Sequence, residues 1–419
     1  MKPNIFSEIS PLKNVIIHSP IGEHSLLKNI NVQETLNGKD NPDFLLFDEL
    51  VDSDELSKEH EKLKLLFDKF TNSNTLTFRD LLVKILNDQS IKYELLSKII
   101  ASETELFGNE FNISIEDFDV LNINEISDTL ITGFHKQKRF FKNPLPNLIF
   151  TRDIGAFIGN TLLTTWSWHK SRQRESIITS QIVQKHPIFR DTKIFHFNKK
   201  FPNLSIEGGD INIFNHKIIC IGISQRTSLD SIKAILPLIF KNNFKYVYAI
   251  DIPKKRQFMH LDCVFTKLDF NECLVYPPLF IDELIDYKIF KFDYKNNYHC
   301  YKSSEKNLKE LFEDDGYTLN FLNCGGDKKQ NQDSELIKMG ANVFTLSPGV
   351  VAGYYRNKET LKVFKNNNYN IISIDTYLKM QGLNENEKYF IYLDENELSK
   401  GHGGIRCLTF PIERDIINE

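Results

Sequence analysis

The chain has few cysteines and no long apolar run. Its 419 residues include six cysteines, at positions 220, 263, 273, 300, 324 and 407, and none of them forms a Cys-x-x-Cys pair. This spacing argues against a disulfide scaffold and favours reduced thiols in a cytoplasmic setting. No stretch approaches the roughly 18 uncharged apolar residues of a membrane span, and the first residues lack the apolar core of a signal peptide. We therefore expect a soluble protein without a membrane partner.

An excess of basic charge is also missing. The 52 Lys and Arg residues face 56 Asp and Glu residues, for a net charge of −4. A nucleic-acid-binding protein needs a basic patch or field, so we expect no nucleic-acid partner and favour a small-molecule ligand. By length alone the chain is large enough for two or three domains. Folds built from repeats, however, can form one domain of this length.

A weak internal repeat is present, and each unit is predicted to be a β-hairpin that starts at an aspartate. Asp153, Asp210 and Asp262 each precede β-branched and apolar residues, a turn, and a second apolar run. A fourth unit is predicted over residues 343–355, and helical sequence such as 228–241 separates the hairpins. Each unit can bury its apolar face only against its neighbours, which predicts a closed, pseudo-symmetric α/β ring. The aspartates would then meet at its centre.

Residues from about 75 to 140 interrupt the repeat and are predicted to be helical. Apolar residues recur at helical spacing over 78–86, and again over 93–100 and 126–134. We interpret this segment as a helical insertion carried by one catalytic domain that spans residues 1–419. On an earlier predicted helix, His60 lies on an apolar face and is interpreted as a structural residue.

Cys407 ends the glycine-rich sequence Lys400-Gly-His-Gly-Gly-Ile-Arg-Cys407. Glycines let a backbone close over a ligand, and a thiol at the end of such a loop is placed to attack it. The clusters Phe150-Thr-Arg-Asp153, Glu207-Gly-Gly-Asp210 and His260-Leu-Asp262 offer a base and several carboxylates. Taken singly, each is more typical of a turn acid or a core histidine than of a catalytic site. Together they indicate a nucleophilic site assembled from distant strands.

Several carboxylates beside a thiol indicate a cationic substrate. Negative charge opposes both the thiolate and the oxyanion of acyl transfer. A guanidinium, in contrast, is planar and permanently charged, and its N–H donors match carboxylates in pairs. Its carbon resists attack, so it needs a strong nucleophile such as cysteine, whose pKa of about 8.5 can be lowered by a bound cation.

Short motifs that occur in a fixed order along the chain support this interpretation. They are Val15-Ile-Ile-His-Ser-Pro20, Leu45-Leu-Phe-Asp48, Pro146-Asn-Leu-Ile-Phe-Thr-Arg-Asp153, Arg172-Gln-Arg-Glu175, Ile206-Glu-Gly-Gly-Asp210, Gln225-Arg-Thr-Ser228, Met259-His-Leu-Asp262, Cys324-Gly-Gly326, Pro348-Gly-Val-Val351, Tyr355-Arg-Asn357 and the Cys407 loop. In these motifs the chain resembles the arginine deiminase family over essentially its whole length. The resemblance implies an α/β fold of the five-fold pseudo-symmetric α/β-propeller (pentein) type with a helical insertion.

The resemblance also implies an activity: hydrolysis of free L-arginine to L-citrulline and ammonia, with no cofactor and no metal. Cys407 would attack the guanidinium carbon, Asp153 and Asp262 would hold its nitrogens, and His260, oriented by Glu207, would move protons. The substrate-binding residues implied are Arg172, Arg226 and Asn147 for the carboxylate, the carbonyl groups of Leu46 and Gly401 for the α-amino group, Phe150 along the aliphatic stem and Asp210 as a supporting carboxylate. The resemblance further implies a homo-oligomer, either a dimer or a tetramer.

Three alternatives stay open from the sequence. An arginine dihydrolase, which releases ornithine and two ammonia molecules, and an amidinotransferase would use the same residues. A non-catalytic ribosome-binding factor with the same fold would have no use for Cys407.

His402 stands where the family varies, at a position associated with gating of the site. Cys324 has no base motif beside it and is interpreted as structural, and Trp166 and Trp168 are interpreted as packing residues.

Overall fold

The computed structural model describes residues 3–108, 113–167, 169–282, 284–295 and 297–417. Trp168, interpreted above as a packing residue, lies outside these ranges. The strands are β1 (Leu12–Ile17), β2 (Thr35–Leu36), β3 (Lys39–Asp40), β4 (Thr75–Thr77), β5 (Phe134–His135), β6 (Lys138–Arg139), β7 (Gly155–Ile158), β8 (Thr161–Thr164), β9 (Lys193–His196), β10 (Ile211–Asn212), β11 (Ile218–Ile223), β12 (Tyr246–Asp251), β13 (Phe265–Asp269), β14 (Glu272–Val275), β15 (Lys288–Asp293), β16 (Tyr298–Lys302), β17 (Asn320–Asn323), β18 (Phe344–Ser347), β19 (Val350–Tyr354), β20 (Tyr369–Ser373), β21 (Lys388–Leu393) and β22 (Phe410–Arg414). The helices are α1 (Ser53–Phe70), α2 (Phe78–Leu86), α3 (Gln89–Phe107), α4 (Ile123–Thr132), α5 (Gln173–Lys185), α6 (Phe197–Lys200), α7 (Leu229–Lys241), α8 (Pro277–Phe280), α9 (Leu308–Asp314), α10 (Lys329–Ile337), α11 (Lys358–Asn366) and α12 (Ile374–Lys379).

Five sheets within these ranges share one plan, in which an antiparallel pair of strands is followed by a parallel strand. Their strand orders are β22-β1-β4, β7-β8-β9, β10-β11-β12, β13-β14-β17 and β18-β19-β21. Two of these sheets are larger, because β15 and β16 extend the third and β20 extends the fifth. The hairpins predicted after Asp153, Asp210 and Asp262, and the unit predicted over 343–355, are confirmed as β7-β8, β10-β11, β13-β14 and β18-β19.

The fifth unit, which the sequence pattern does not reveal, joins the two ends of the chain. β1 near the N-terminus pairs antiparallel with β22 near the C-terminus, with Leu12 opposite Arg414 and Ile16 opposite Phe410. A hairpin prediction depends on a local turn between two strands, and here nearly the whole chain separates them. Because Cys407 lies three residues before β22, it occupies the same place in its unit as the aspartates do in theirs.

The helices of the predicted insertion pack on the largest apolar cluster. α2 buries Phe78, Leu82 and Ile85 there, and α4 contributes Ile126 and Leu130. Full burial of each such side chain stabilises the fold by roughly 1.5–3 kcal/mol. α2 begins at Thr77, whose hydroxyl accepts the N–H of Asp80 at 3.1 Å, which satisfies one backbone donor of the first turn. Residues 109–112 of this segment lie outside the described ranges.

That α2, α3 and α4 form an inserted subdomain of a single catalytic domain stays a prediction. His60 is fully buried in α1 between the apolar residues Leu56 and Leu63, as expected of a structural histidine. Among the described helices, none combines the length and the apolarity that crossing a bilayer requires.

Candidate active site

One small cavity receives side chains from the starts of several hairpins. Its lining residues are Leu46, Asn147, Phe150, Asp153, Arg172, Arg226, Met259, His260, Gly401, His402, Gly403 and Cys407. Nine of the twelve predicted site residues are therefore in the lining. Of the other three, Glu207 contacts His260 and Asp262 contacts Cys407, whereas Asp210 contacts Leu261, the residue after His260. The space open to the centre of a water molecule is only about 10 Å³, which is room for about one water.

Three of the site acids are held by the same local structure. Single-turn 3-10 helices, Thr151–Ile154, Gly208–Asp210 and Leu261–Cys263, precede β7, β10 and β13. The glycines between Glu207 and Asp210 are required by close packing. A Cβ on Gly208 would stand 2.1 Å from the carbonyl oxygen of Arg152, and one on Gly209 would stand 2.5 Å from Nδ1 of His260.

Cys407 is buried beside a carboxylate. Its Sγ lies 3.9 Å from Oδ2 of Asp262, and its backbone N–H donates to Oδ1 of Asn342 at 3.2 Å. Burial, reinforced by the negative charge of Asp262, raises the pKa of the thiol well above its ordinary value. The ligand-free site therefore holds Cys407 as a thiol, and a cation bound beside it would favour the thiolate.

His260 is held by two carboxylates. Nε2 lies 2.9 Å from Oε2 of Glu207, and Nδ1 lies 3.7 Å from Oδ1 of Asp153. Burial alone lowers the pKa of His260, but Asp153, Asp210 and Glu207 more than offset this effect and raise it to about 9. The pKa of Glu207 is lowered, because Arg226 and His260 outweigh the effect of its burial. At neutral pH the pair is therefore an imidazolium and a carboxylate.

Arg172 fills the space in front of Asp153. Its Nη1 donates to Oδ2 of Asp153 at 2.7 Å, Nε donates to Oε2 of Glu175 at 2.9 Å, and Nη2 donates to the carbonyl oxygen of Asn147 at 3.0 Å. Burial outweighs the adjacent Arg172 and raises the pKa of Glu175 to about 7. Arg172 was predicted to bind the carboxylate of the substrate. In this structure its guanidinium instead pairs with Asp153, which was predicted to bind the guanidinium of the substrate.

Asp262 is paired in the same way. Nη1 of Arg406 donates to its Oδ2 at 2.7 Å, and both side chains are fully buried. The two carboxylates predicted to hold a guanidinium thus each bind one already, from the chain's own arginines. Charge-assisted bonds of this length are the strong class of hydrogen bond, so both carboxylates are well placed to accept planar N–H donors.

Asp210 does not line the cavity but supports the segment that carries His260. Its Oδ1 accepts the backbone N–H of Leu261 at 3.0 Å, and its Oδ2 accepts the hydroxyl of Ser224 at 2.6 Å. Burial raises the pKa of Asp210 to about 6. The supporting role predicted for Asp210 stays a prediction.

The mouth of the cavity is closed by contacts among three segments, which carry Asp48, Arg256 and His402. The carbonyl oxygen of Leu46 accepts Nη2 of Arg256 at 2.8 Å, and Asp48 accepts Nε of Arg256 at 2.5 Å. The other oxygen of Asp48 lies 3.3 Å from Nδ1 of His402, and burial lowers the pKa of that histidine to about 4. A Cβ on Gly401 would meet the ring of Phe150 at 2.7 Å, so glycine is needed for the loop to lie this close.

Sequence reasoning missed several residues of the site. Asn342, which accepts the N–H of Cys407, and Ser167, which donates to Glu207 at 2.8 Å, are of types common everywhere in a chain and give no local signal. Glu175 and Met259 lie inside motifs noted above, where their chemistry could have been considered. Cys324 is buried, and burial raises the pKa of its thiol to about 12, which supports its structural interpretation.

A metal ion would fit poorly in this site. Among the described residues, Asp153, Glu207 and His260 are the group whose ligand atoms all lie within 4.8 Å of one another. Coordination by all three would compete with the hydrogen bond between His260 and Glu207. It would also add positive charge beside Arg172 and beside Arg226, whose Nη1 lies 3.9 Å from Oε1 of Glu207.

Comparison with known proteins agrees with this chemistry. A family model described as arginine deiminase matches residues 43–414. The arginine deiminase of Mycoplasma capricolum subsp. capricolum is 29% identical over 451 aligned residues, which cover 100% of this chain and 98% of the relative. That of Listeria monocytogenes serotype 4b is 28% identical over 439 residues, which cover 98% of each chain.

Among solved structures, an amidinotransferase of the saxitoxin biosynthetic pathway from Microseira wollei aligns with a TM-score of 0.54 at 12% identity, covering 100% of this chain and 98% of that one. This likeness shows a shared mixed α/β fold. With the family model matched over most of its length, the chain belongs to the arginine deiminase family.

Proposed function

We propose that the protein hydrolyses free L-arginine to L-citrulline and ammonia through a covalent intermediate on Cys407. The observation that carries the proposal is the placement of Asp153 and Asp262. Each carboxylate accepts a guanidinium N–H at 2.7 Å, one beside the thiol and the other beside the imidazole. A substrate guanidinium that displaced Arg172 from Asp153, with Arg406 remaining on Asp262, would lie between nucleophile and acid.

The reaction begins when substrate binding lowers the pKa of Cys407. The thiol loses its proton to solvent, because His260 is already protonated. Sγ then forms a bond to the guanidinium carbon as one C–N π bond becomes a nitrogen lone pair, and the resulting tetrahedral species is held by Asp153 and Asp262. His260 gives its proton to the departing nitrogen, the C–N bond breaks, and ammonia leaves. Water then adds to the amidino carbon while neutral His260 accepts one of its protons. The C–S bond breaks as the remaining hydroxyl proton passes to solvent, which releases citrulline and the thiolate. Glu207 orients the imidazole throughout.

The rest of the substrate is assigned to the remaining lining residues. Arg226, Arg172 and Asn147 bind the carboxylate, since the planar fork of an arginine matches two carboxylate oxygens. Phe150 packs on the aliphatic stem, and the carbonyl groups of Leu46 and Gly401 accept the α-amino group. For arginine to enter, Arg172 must leave Asp153 and the loop that carries Gly401 must move outward, because the ligand-free cavity holds about one water.

The wider architecture is part of the same proposal. We propose that the five sheets close into a five-fold propeller of the pentein type, which their shared strand order and the pairing of β1 with β22 support. One catalytic domain spans 1–419, with the helical insertion at about 75–140, and the enzyme is a homo-oligomer, dimer or tetramer. Free thiols at all six cysteines suit a reducing cytoplasmic compartment.

Product analysis separates this function from its alternatives. Purified protein given L-arginine is expected to release citrulline and ammonia in equal amounts. Ornithine as the main product would instead indicate a dihydrolase, and transfer of the amidino group to an added amine would indicate a transferase. No turnover at all would favour the non-catalytic binding factor.

Replacement of the nucleophile is expected to abolish the reaction. Cys407→Ala should lower turnover by at least about a thousandfold, because the covalent route is lost. Cys300→Ala is the matched control, since Cys300 is the exposed cysteine and contacts none of the site residues named above. Undiminished citrulline release by Cys407→Ala would overturn the assignment of the nucleophile.

A further inference from the structure

The N-terminal segment passes beneath the site and contacts several units of the fold. The backbone N–H of Asn4 donates to the carbonyl oxygen of Ile412 in β22 at 2.9 Å, and that of Ile5 donates to Gly159 in the β7-β8 turn at 2.8 Å. The N–H of Glu8 donates to the carbonyl oxygen of Ile213, which follows β10, at 2.8 Å. These contacts hold the backbone up to Glu8, and the carbonyl oxygen of Ser10 beyond it accepts Nη1 of Arg414 at 2.5 Å. The Glu8 side chain between them is itself buried.

Glu8 lies at the end of a chain of charged groups that leads to the nucleophile. Its Oε1 accepts Nη2 of Arg406 at 3.1 Å. Nη1 of the same guanidinium donates at 2.7 Å to Oδ2 of Asp262, the oxygen that stands 3.9 Å from Sγ of Cys407. A third bond runs from Nη2 of Arg406 to the carbonyl oxygen of Ile211 at 3.0 Å. Arg406 can therefore hold Asp262 in one orientation only while Glu8 holds Arg406.

The thiol is surrounded by charges of both signs. The acidic and titratable groups that face it are Asp262, Asp153, Cys263 and Tyr354, and the basic groups are Arg406 and Arg152. Arg152 and Arg414 lie near Glu8 as well, so that this single carboxylate faces three buried arginines. Among these charges Asp262, with Oδ2 3.9 Å from Sγ, has the largest effect on the thiol. Whether its negative charge is offset therefore depends on Arg406.

We propose that Glu8 is a positioning residue that, by anchoring Arg406, keeps Asp262 paired and oriented for the reaction at Cys407. The inference rests on the proposed function, which assigns the reaction to Cys407 and the substrate guanidinium to Asp262. Without the carboxylate at position 8, Arg406 loses one of its two anionic partners and shifts toward the carbonyl groups around it. Asp262 then acts on the sulfur with its full negative charge, and thiolate formation becomes harder.

Alkylation of Cys407 by iodoacetamide measures this effect without any turnover. The rate at Cys407 is followed by mass spectrometry at fixed pH, in a Cys300→Ser background that removes the exposed thiol. Glu8→Ala is expected to slow alkylation about tenfold, since a rise of about one unit in the thiol pKa lowers the thiolate fraction by that factor. Glu8→Gln retains an acceptor oxygen for Arg406 and is expected to stay within about twofold of the parent.

Two further variants complete the test. Arg406→Lys cannot reach Asp262 and Glu8 with one planar group and is expected to slow alkylation as Glu8→Ala does. Asp415→Asn also removes one acid near a chain end, but its partner Lys13 is on the surface, and no change is expected. In turnover, Glu8→Ala should lower kcat/KM about tenfold, mainly through kcat.

Faster alkylation of Cys407 in Glu8→Ala would indicate a purely structural role for Glu8. If Glu8 only stabilised the fold, its loss would loosen the site and expose Cys407, so alkylation would accelerate. Accelerated or unchanged alkylation in Glu8→Ala would overturn the inference. A parent protein that released no citrulline would contradict the proposed function, whereas the alkylation comparison would still decide the role of Glu8.

Discussion

At the scale of single residues, the site consists of buried charges that are paired with one another. Asp153 pairs with Arg172, Asp262 with Arg406, and Glu207 with His260. Removal of one partner from a buried pair typically costs about 3–5 kcal/mol, because the other charge is left uncompensated. Variants that keep the shape of the side chain and change only its charge are therefore the informative ones.

The pairing of His260 with Glu207 predicts the alkaline limb of the pH profile. His260 must carry a proton to act as the acid, and its pKa is raised to about 9. kcat/KM is therefore expected to fall as pH rises through about 9, measured from initial rates of citrulline release. Glu207→Gln keeps the size of the side chain but removes a charge that favours the imidazolium, so this limb should move to lower pH.

A matched control is available on an exposed acid. Glu385→Gln changes the charge of the chain by the same amount far from the described site, and its alkaline limb should coincide with that of the parent. A limb that stays in place in Glu207→Gln would contradict the assignment of His260 as the acid.

Residue types that carry chemistry were predictable from the sequence, but their pairing was not. Cys407, His260 and Asp262 stand in short polar clusters next to apolar strands, so both their type and their place give a signal. The pair of Arg406 with Glu8 joins residues at opposite ends of the chain, and no local pattern links them. The ion pair between Arg172 and Asp153 was also missed. The sequence shows that an arginine and an aspartate can pair, but not that these two do so in the folded protein.

At the scale of elements, the loop before Cys407 is held by helix α1. Glu59 in α1 accepts the backbone N–H groups of Asn396, Glu397 and Leu398 at 2.6, 3.0 and 2.9 Å. Bonds from backbone N–H groups to a carboxylate are charge-assisted and contribute about 1.5–3 kcal/mol each. The same loop continues into the glycines that pack on Phe150, so α1 helps to hold the mouth of the cavity closed.

Removal of the Glu59 carboxylate is expected to loosen the loop at residues 396–398. In Glu59→Ala, protection of the amides of residues 396–398 against hydrogen exchange should fall by about tenfold or more, and KM for arginine should change with it. Glu61→Ala is the matched control, because Glu61 lies on the exposed side of the same helix. Equal protection in both variants would show that other contacts hold the loop.

Hairpins were the elements that the sequence predicted best. In β7-β8 and β13-β14 a short turn lies between two runs of apolar residues. Both the apolar pattern of the strands and the turn are visible within a few consecutive residues. The strands that complete each sheet in parallel pairing could not be placed in the same way. A parallel partner follows only after a helix, so which strand joins which is decided by packing of the whole unit.

At the scale of the whole molecule, the two chain ends complete one unit of the fold and bring the nucleophile to it. β22 pairs with β1, and Arg414 at its end donates to the carbonyl oxygens of Ser10 and Thr345 at 2.5 and 2.8 Å. Cys407, which lies three residues before β22, therefore reaches its place only when β1 and β22 are paired. Activity and global folding should for this reason be lost together.

Global stability should also depend on a buried carboxyl group that does not line the cavity, Glu395. The side chain of Glu395 is fully buried, its nearest cationic atom is Nη1 of Arg356 at 3.6 Å, and burial raises its pKa to about 8. Between the unfolded pKa of about 4.3 and pH 8, the folded protein keeps a proton that the unfolded chain has released. The contribution of Glu395 to the free energy of unfolding therefore becomes less favourable as pH rises through this window.

Glu395→Gln isolates this contribution from the other titrating groups. Glutamine is neutral at every pH, so the variant should match the parent near pH 5 and exceed it at pH 8 by about 2 kcal/mol or more in the free energy of unfolding, measured by urea titration. Glu385→Gln, at an exposed site, should follow the parent at both pH values. A difference between Glu395→Gln and the parent that did not grow with pH would mean that Glu395 is already ionised in the folded protein, with Arg356 as a sufficient partner.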